Sequence, residues 1–165
     1  MNLNQFLEII RNMEPLPRRE FKPHRLLALL AILDIIESQG KAQKRFNYND
    51  FFKQRFTHYF DIYAGPNDRN KPFKPFFHLW NAGRSSGRDF GEFWFLISRP
   101  GRGVYLNNMR RGGFSERELE ENIEFAELDQ DLFEILSNKE SGQESREIVR
   151  NEIKKCLKAG LQTNL

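Results

Sequence analysis

The chain is poor in the residues that small proteins use as staples and that many enzymes use as catalysts. It has one cysteine in 165 residues, Cys156, which excludes an internal disulfide and any zinc site built from several thiolates. That cysteine falls in an amphipathic stretch, where a small buried side chain is expected. The three histidines, His24, His58 and His78, lie in separate predicted elements, so no histidine-asparagine-histidine nuclease constellation is visible. No apolar run approaches the ~18 residues needed to cross a bilayer. The opening MNLNQFLEIIRN carries acid and amide groups where a signal peptide is basic and then greasy, and the expected location is the cytoplasm. No glycine loop has the spacing of a phosphate-binding NTPase, and no serine or cysteine sits in a nucleophile motif. The nearest match to a magnesium-holding Glu-x-Lys, Glu152-Ile153-Lys154, lies in a predicted helix and reads as a salt-bridging face. No metal or cofactor is expected.

What is present is a globular balance, 39% hydrophobic and 30% charged, with sixteen phenylalanines. A chain of this size fits one domain with a core of its own. The net charge is only +3, but it is unevenly spread: residues 1–114 hold 19 Lys and Arg against 10 Asp and Glu, and residues 115–165 hold 7 against 13. The first two thirds therefore carry +9 and the remainder −6. A polyanion, with nucleic acid the leading class, is the expected partner of the basic part.

The periodicity predicts a mainly α (α+β) fold, a single compact helical domain around a buried central helix, with one β-hairpin acting as a wing. Phe6, Leu7, Ile9, Ile10 and Met13 recur at helical spacing over 3–13, stopped by Pro15 and Pro17. PHRLLALLAILDIIESQG is apolar almost all round and reads as the central helix. YNDFFKQRFTHYFDIY, 48–63, puts Phe51, Phe52, Phe56, Tyr59 and Phe60 on one broad face, with Asn47 or Asn49 as cap. PFFHLWNAG reads as a short helix with proline at its start and glycine past its end. EFWFLIS, 92–98, has strand composition, RPGRG a tight basic turn, and VYLNN the return arm of the hairpin. From Phe114 on, Ser115 with Glu118 three residues later marks a capped helix, and two more amphipathic helices follow. The expected division is an N-terminal helix and linker over 1–20, a binding domain over 21–160 and a tail over 161–165.

Two predicted helix starts are loaded with cations. Helix N-termini carry partial positive charge and unpaired N–H groups, so acidic residues usually sit there. Here Lys22-Pro23-His24-Arg25 opens the central helix and Lys74-Pro75-Phe76-Phe77-His78 opens the short one, with Lys71 close by. An anion resolves that conflict, and phosphate is the natural one, because aligned N–H donors and a guanidinium fork suit it. Pro75, Phe73, Phe76 and the stem of Arg25 add apolar surface. A phosphorothioate sulfur, larger and softer than oxygen, gains from such dispersion contact.

KPHRLLALLAILDII, KPFKPFFHLWN about fifty residues on and the GGF at 112–114 resemble the sulfur-binding domain of bacterial type IV restriction endonucleases that attack phosphorothioate-modified DNA. The resemblance covers about Phe21 to Gly160. It implies a recognition module without an active site of its own, in the same chain as an HNH-type nuclease or partnered with one, binding double-stranded phosphorothioate DNA in a short sequence context. It also implies a sulfur pocket of His24, Arg25, Pro75 and His78, with Lys74 where the family often has tyrosine and His78 where a small residue is common. Base or phosphate contacts are then expected from Arg84, Ser85, Ser86 and Arg88 first, and from Arg102, Asn107, Asn108, Arg110 and Arg111 next. The alternatives are a small metal-dependent nuclease with unrecognised ligands, or a general nucleic-acid or protein interaction domain.

Overall fold

A computed structural model describes residues 1–13, 23–39, 43–84 and 88–162. Their order is α1 (Leu3–Asn12), α2 (His24–Gln39), β1 (Arg45–Phe46), α3 (Asp50–Tyr63), α4 (Phe73–His78), a 3-10 turn (Leu79–Arg84), β2 (Trp94–Ser98), α5 (Gly103–Arg111), α6 (Glu116–Asn122), β3 (Ile123–Leu128), α7 (Gln130–Ser137) and α8 (Lys139–Gln162). The fold is compact and mainly α, with a small antiparallel sheet in the order β1-β3-β2. Helix starts follow local chemistry. Asn2 and Gln5 form a capping box on α1, Asn49 accepts from the Phe52 N–H at the start of α3, and Ser115 and Glu118 form the predicted capping box on α6.

The central helix is α2, as its composition requires. Ten of its residues, from Leu26 to Ile36, are buried on every side by α3, α4, α7 and α8. Phe52, Phe56 and Tyr59 of α3 face it, whereas Phe51 turns outward. Phe6, Leu7, Ile9, Ile10 and Met13 of α1 belong to the same core, so the N-terminal helix is part of the body. Cys156 is buried in α8.

The sheet closes one side of this core. Trp94 of β2 is fully buried between Phe46 and Phe76, and its indole N–H donates to the Phe76 carbonyl at 2.8 Å. That single bond ties the sheet to α4, and it satisfies the one polar atom of a large buried ring. Gly83, in the 3-10 turn, makes a second tie. A β-carbon there would sit 2.0 Å from the Gly91 carbonyl oxygen, while the Gly83 carbonyl accepts from Phe90 N–H at 3.1 Å. Gly83→Ala is expected to lower stability by about 1–3 kcal/mol, because backbone must move to admit the methyl group. A thermal melt unchanged from wild type would show that the turn yields freely.

The hairpin wing is corrected. VYLNN is not a strand returning beside EFWFLIS; it is the body of α5, and the partner of β2 is β3, in register from Trp94 opposite Leu128. Gly101, at φ +76°, makes the turn, and the chain then follows Leu106 and Met109, buried three residues apart on one helical face. The short helix also differs from expectation. Pro75 is its third residue, with Pro72 at the cap, and it gives way to the 3-10 turn at Leu79.

Candidate nucleic-acid interface

Several elements meet at the start of α2. The Arg25 guanidinium donates to the Met13 carbonyl at the end of α1 and, at 3.3 Å, to Oδ1 of Asn81 in the 3-10 turn. His24 turns the other way. Its ring lies against Phe60 and Phe56 of α3, with centroids 5.6 and 6.4 Å away, and its Nε2 is 4.0 Å from Asp68 Oδ2. Of the two neighbours, Arg25 is therefore held toward α1 and the 3-10 turn, while His24 wedges α2 against α3. Lys22 lies outside the described residues.

The α4 residues complete the cluster. Lys74 is exposed, and Lys71 is half-buried with its carbonyl accepting from Lys74 N–H at 3.1 Å. Pro75 is buried, so its ring packs inward rather than lining open space. His78 is half-buried against Phe77 and Phe114, 5.4 and 5.8 Å away. Burial pushes its imidazole below the ordinary 6.5, and the charges of Arg25 and Lys74 push in the same direction. At neutral pH His78 is thus an uncharged ring that feels the charges of two cations, Lys74 of its own helix and Arg25 of α2. The GGF motif supplies the remaining wall, with the Phe114 ring 4.4 Å from Phe77 and 5.8 Å from Phe73.

The outer candidates divide. Ser85 and Ser86 lie outside the described residues. Arg84 and Arg88 are exposed but already face carboxylates: Arg84 is 3.7 Å from Asp89 and 3.5 Å from Glu92, and Arg88 is 2.5 Å from Glu8. Arg110 is half-buried over the Trp80 ring, 4.8 Å from its centroid. Arg102 is exposed and stacks 4.9 Å over Tyr105, and Asn107, Asn108 and Arg111 stand exposed on α5.

Two features escaped the sequence reading. Arg11 of α1 joins Lys154, Lys155 and Lys158 of α8 around a cavity of about 440 Å³. The acidic total of the last fifty residues hid this local excess of positive charge. Glu152 at its edge is paired with Lys155 at 2.8 Å on one helical face, consistent with the salt-bridging role expected of it. The second feature is a charged network inside the helices. Arg146 of α8 bonds Asp34 of α2 at 2.5 Å, Tyr59 at 3.1 Å and Glu37 at 3.0 Å, and Arg55 of α3 also holds Asp34 at 2.6 Å. An aspartate set among the apolar residues of α2, Asp34, was the available signal. Among the described residues, no group of three or more His, Cys, Asp or Glu side chains is placed to hold a metal ion.

No protein-family profile matches the chain, and no curated protein matches it. Among the described residues, no helix is long and apolar enough to cross a membrane.

Proposed function

We propose that this chain is a recognition module for double-stranded DNA carrying a phosphorothioate in a short sequence context. It would serve a modification-dependent bacterial restriction system in the cytoplasm, with cutting left to an HNH-type nuclease in the same or another chain. The observation that carries the reading is the cluster of Arg25, Lys74 and neutral-held His78, walled by Phe77 and Phe114. Two cations supply the attraction for a backbone anion, and the uncharged imidazole and rings offer polarisable surface. That mixture favours sulfur over a fully hydrated phosphate oxygen, because a hydrated oxygen loses more on meeting rings than on staying in water. The pocket implied by the resemblance already includes His78; here Phe114 joins it as the soft wall in place of the buried Pro75 ring.

The test is a pair of duplexes identical except for one sulfur. Binding at moderate salt should favour the modified duplex by about tenfold, the ratio expected if sulfur gains about 1.4 kcal/mol over oxygen in dispersion contact and easier desolvation, since both duplexes carry the same backbone charge. Equal affinities would sink the sulfur reading. A steep loss of both affinities with rising salt would then leave a general nucleic-acid binder.

A further inference from the structure

Among the described residues the most unusual surface is α5. Between Glu92 and Glu116 the chain has four arginines and no acidic residue. Within that stretch α5 exposes two large apolar side chains, Val104 at 70% and Tyr105 at 50%. The helix is two-sided. Leu106 and Met109 are buried, and Arg110 beside them lies over Trp80. Val104, Asn107, Asn108 and Arg111 fall at i, i+3, i+4 and i+7 on the opposite side, and with Tyr105 they sweep roughly 160° of the helix surface. Arg111 suits the last turn of a helix, but nothing among the described residues needs two adjacent asparagines and a valine on a solvent face, and both asparagine and valine are weak helix formers.

We infer that α5 is a major-groove recognition helix that reads base pairs beside the modified phosphate. The inference rests on the DNA-binding reading above and adds where sequence is read. The side chains suit that groove: asparagine can pair in a bidentate way with adenine, arginine with guanine, and the valine methyls can meet a thymine methyl. A helix is about 10–12 Å across with its side chains, and the B-form major groove is about 12 Å wide, whereas the deep, narrow groove of A-form RNA does not admit it. Duplex DNA is therefore the occupant. Position also fits. The buried edge of α5 rests on Trp80, two residues past His78, and the segment leaving its C-terminal end brings Phe114 onto His78. Register set by the backbone cluster would thus be passed to α5 through packed rings.

Neighbouring acids do not oppose this. On α6, Glu116 bonds Tyr48 and Lys53, Glu118 caps its own helix, Glu120 faces Lys53 and Glu121 pairs with Arg117. Arg110, spent on Trp80, is a scaffold residue in this arrangement and not a base contact.

The experiment is selection by the whole chain from a duplex library randomised around one phosphorothioate, with an unmodified library alongside, repeated with Asn108→Ala and Arg111→Ala. Wild type should enrich defined bases at the positions flanking the sulfur. Each variant should flatten the preference at one base pair by about 5- to 100-fold, while the modified-to-unmodified ratio stays as in wild type. Both substituted side chains are exposed, and circular dichroism checks the fold. No base preference in wild type, or an unaltered preference in both folded variants, overturns the inference. Base preference lost in the variants without any sulfur dependence would support α5 and overturn the sulfur reading. Binding to no duplex overturns both.

Discussion

Asp34→Ala should lower the free energy of unfolding by about 3–5 kcal/mol, the range found when one partner of a buried ion pair is removed. The side chain of Arg146 is 9% exposed, and Asp34 is its inward anion; Glu37, the other, is largely in solvent. Without Asp34 the guanidinium keeps a solvent-exposed carboxylate and the neutral Tyr59 hydroxyl but no inward anion, and Arg55 and the Tyr59 hydroxyl lose their bonds to Asp34 as well. Urea denaturation measures the loss. Removing both charges with Asp34→Leu and Arg146→Met should recover much of it, since apolar residues of similar volume often replace a buried pair at little cost. A change below about 1 kcal/mol for Asp34→Ala would place this network with ordinary surface pairs. The network also sets a pH dependence. Burial tends to raise the Asp34 carboxyl, but hydrogen bonds from Tyr59, Arg146 and Arg55 outweigh it and hold the pKa below 3.8. A depressed carboxylate contributes stability above its unfolded value and loses it as pH falls through the folded one. Wild type should therefore lose stability below pH 3.8, and the double variant should lose less there.

Arg25→Ala should weaken binding to the modified duplex by about tenfold to a hundredfold, the worth of one or two hydrogen bonds to a charged group. The guanidinium is not a loose surface cation: it is tethered to Met13 and Asn81, which fixes its direction. Arg25→Lys should fail to restore affinity, because a lysine ammonium lacks the planar fork that can hold two tethers and still face a ligand. Asn81→Ala, which frees one tether but keeps the charge, should produce a smaller loss. Titrations at several salt concentrations separate position from charge, since removing a phosphate contact reduces the salt slope and misplacing one mainly shifts the affinity. A folded Arg25→Ala with wild-type affinity would move the backbone site away from the start of α2. The cavity of Arg11, Lys154, Lys155 and Lys158 would then be the next place to look.

How far the sequence could be read depended on the range of the interaction. Helices α1, α2 and α3 were legible because each declares itself locally, by a cap, by 3.6-residue periodicity, or by an apolar run too long for a strand. The wing was misread for a local reason too. Val104 and Tyr105 have strand propensity, but Leu106 and Met109 could be buried together only on a helix. Strand β3 carried no usable signal: IEFAEL follows an acidic helix directly, and its strand character comes from being paired on both edges by β1 and β2. The cations at the start of α2 and along α4 are plain in the sequence, yet their division of labour is not. That Arg25 turns to Asn81 while His24 turns to Phe60 depends on residues 56 and 36 positions away.

By itself, then, the sequence determined a mainly helical body around α2, a basic first two thirds and a lone cysteine suited to burial, because these follow from composition and near-neighbour spacing. Only the tertiary structure decided that Lys74 and Arg25 bear on one imidazole, that Pro75 is spent inside, and that α5 is a helix with a polar face on solvent. Those outcomes require distant segments to compete for the same core, and burial, which settles the competition, is a property of the whole chain.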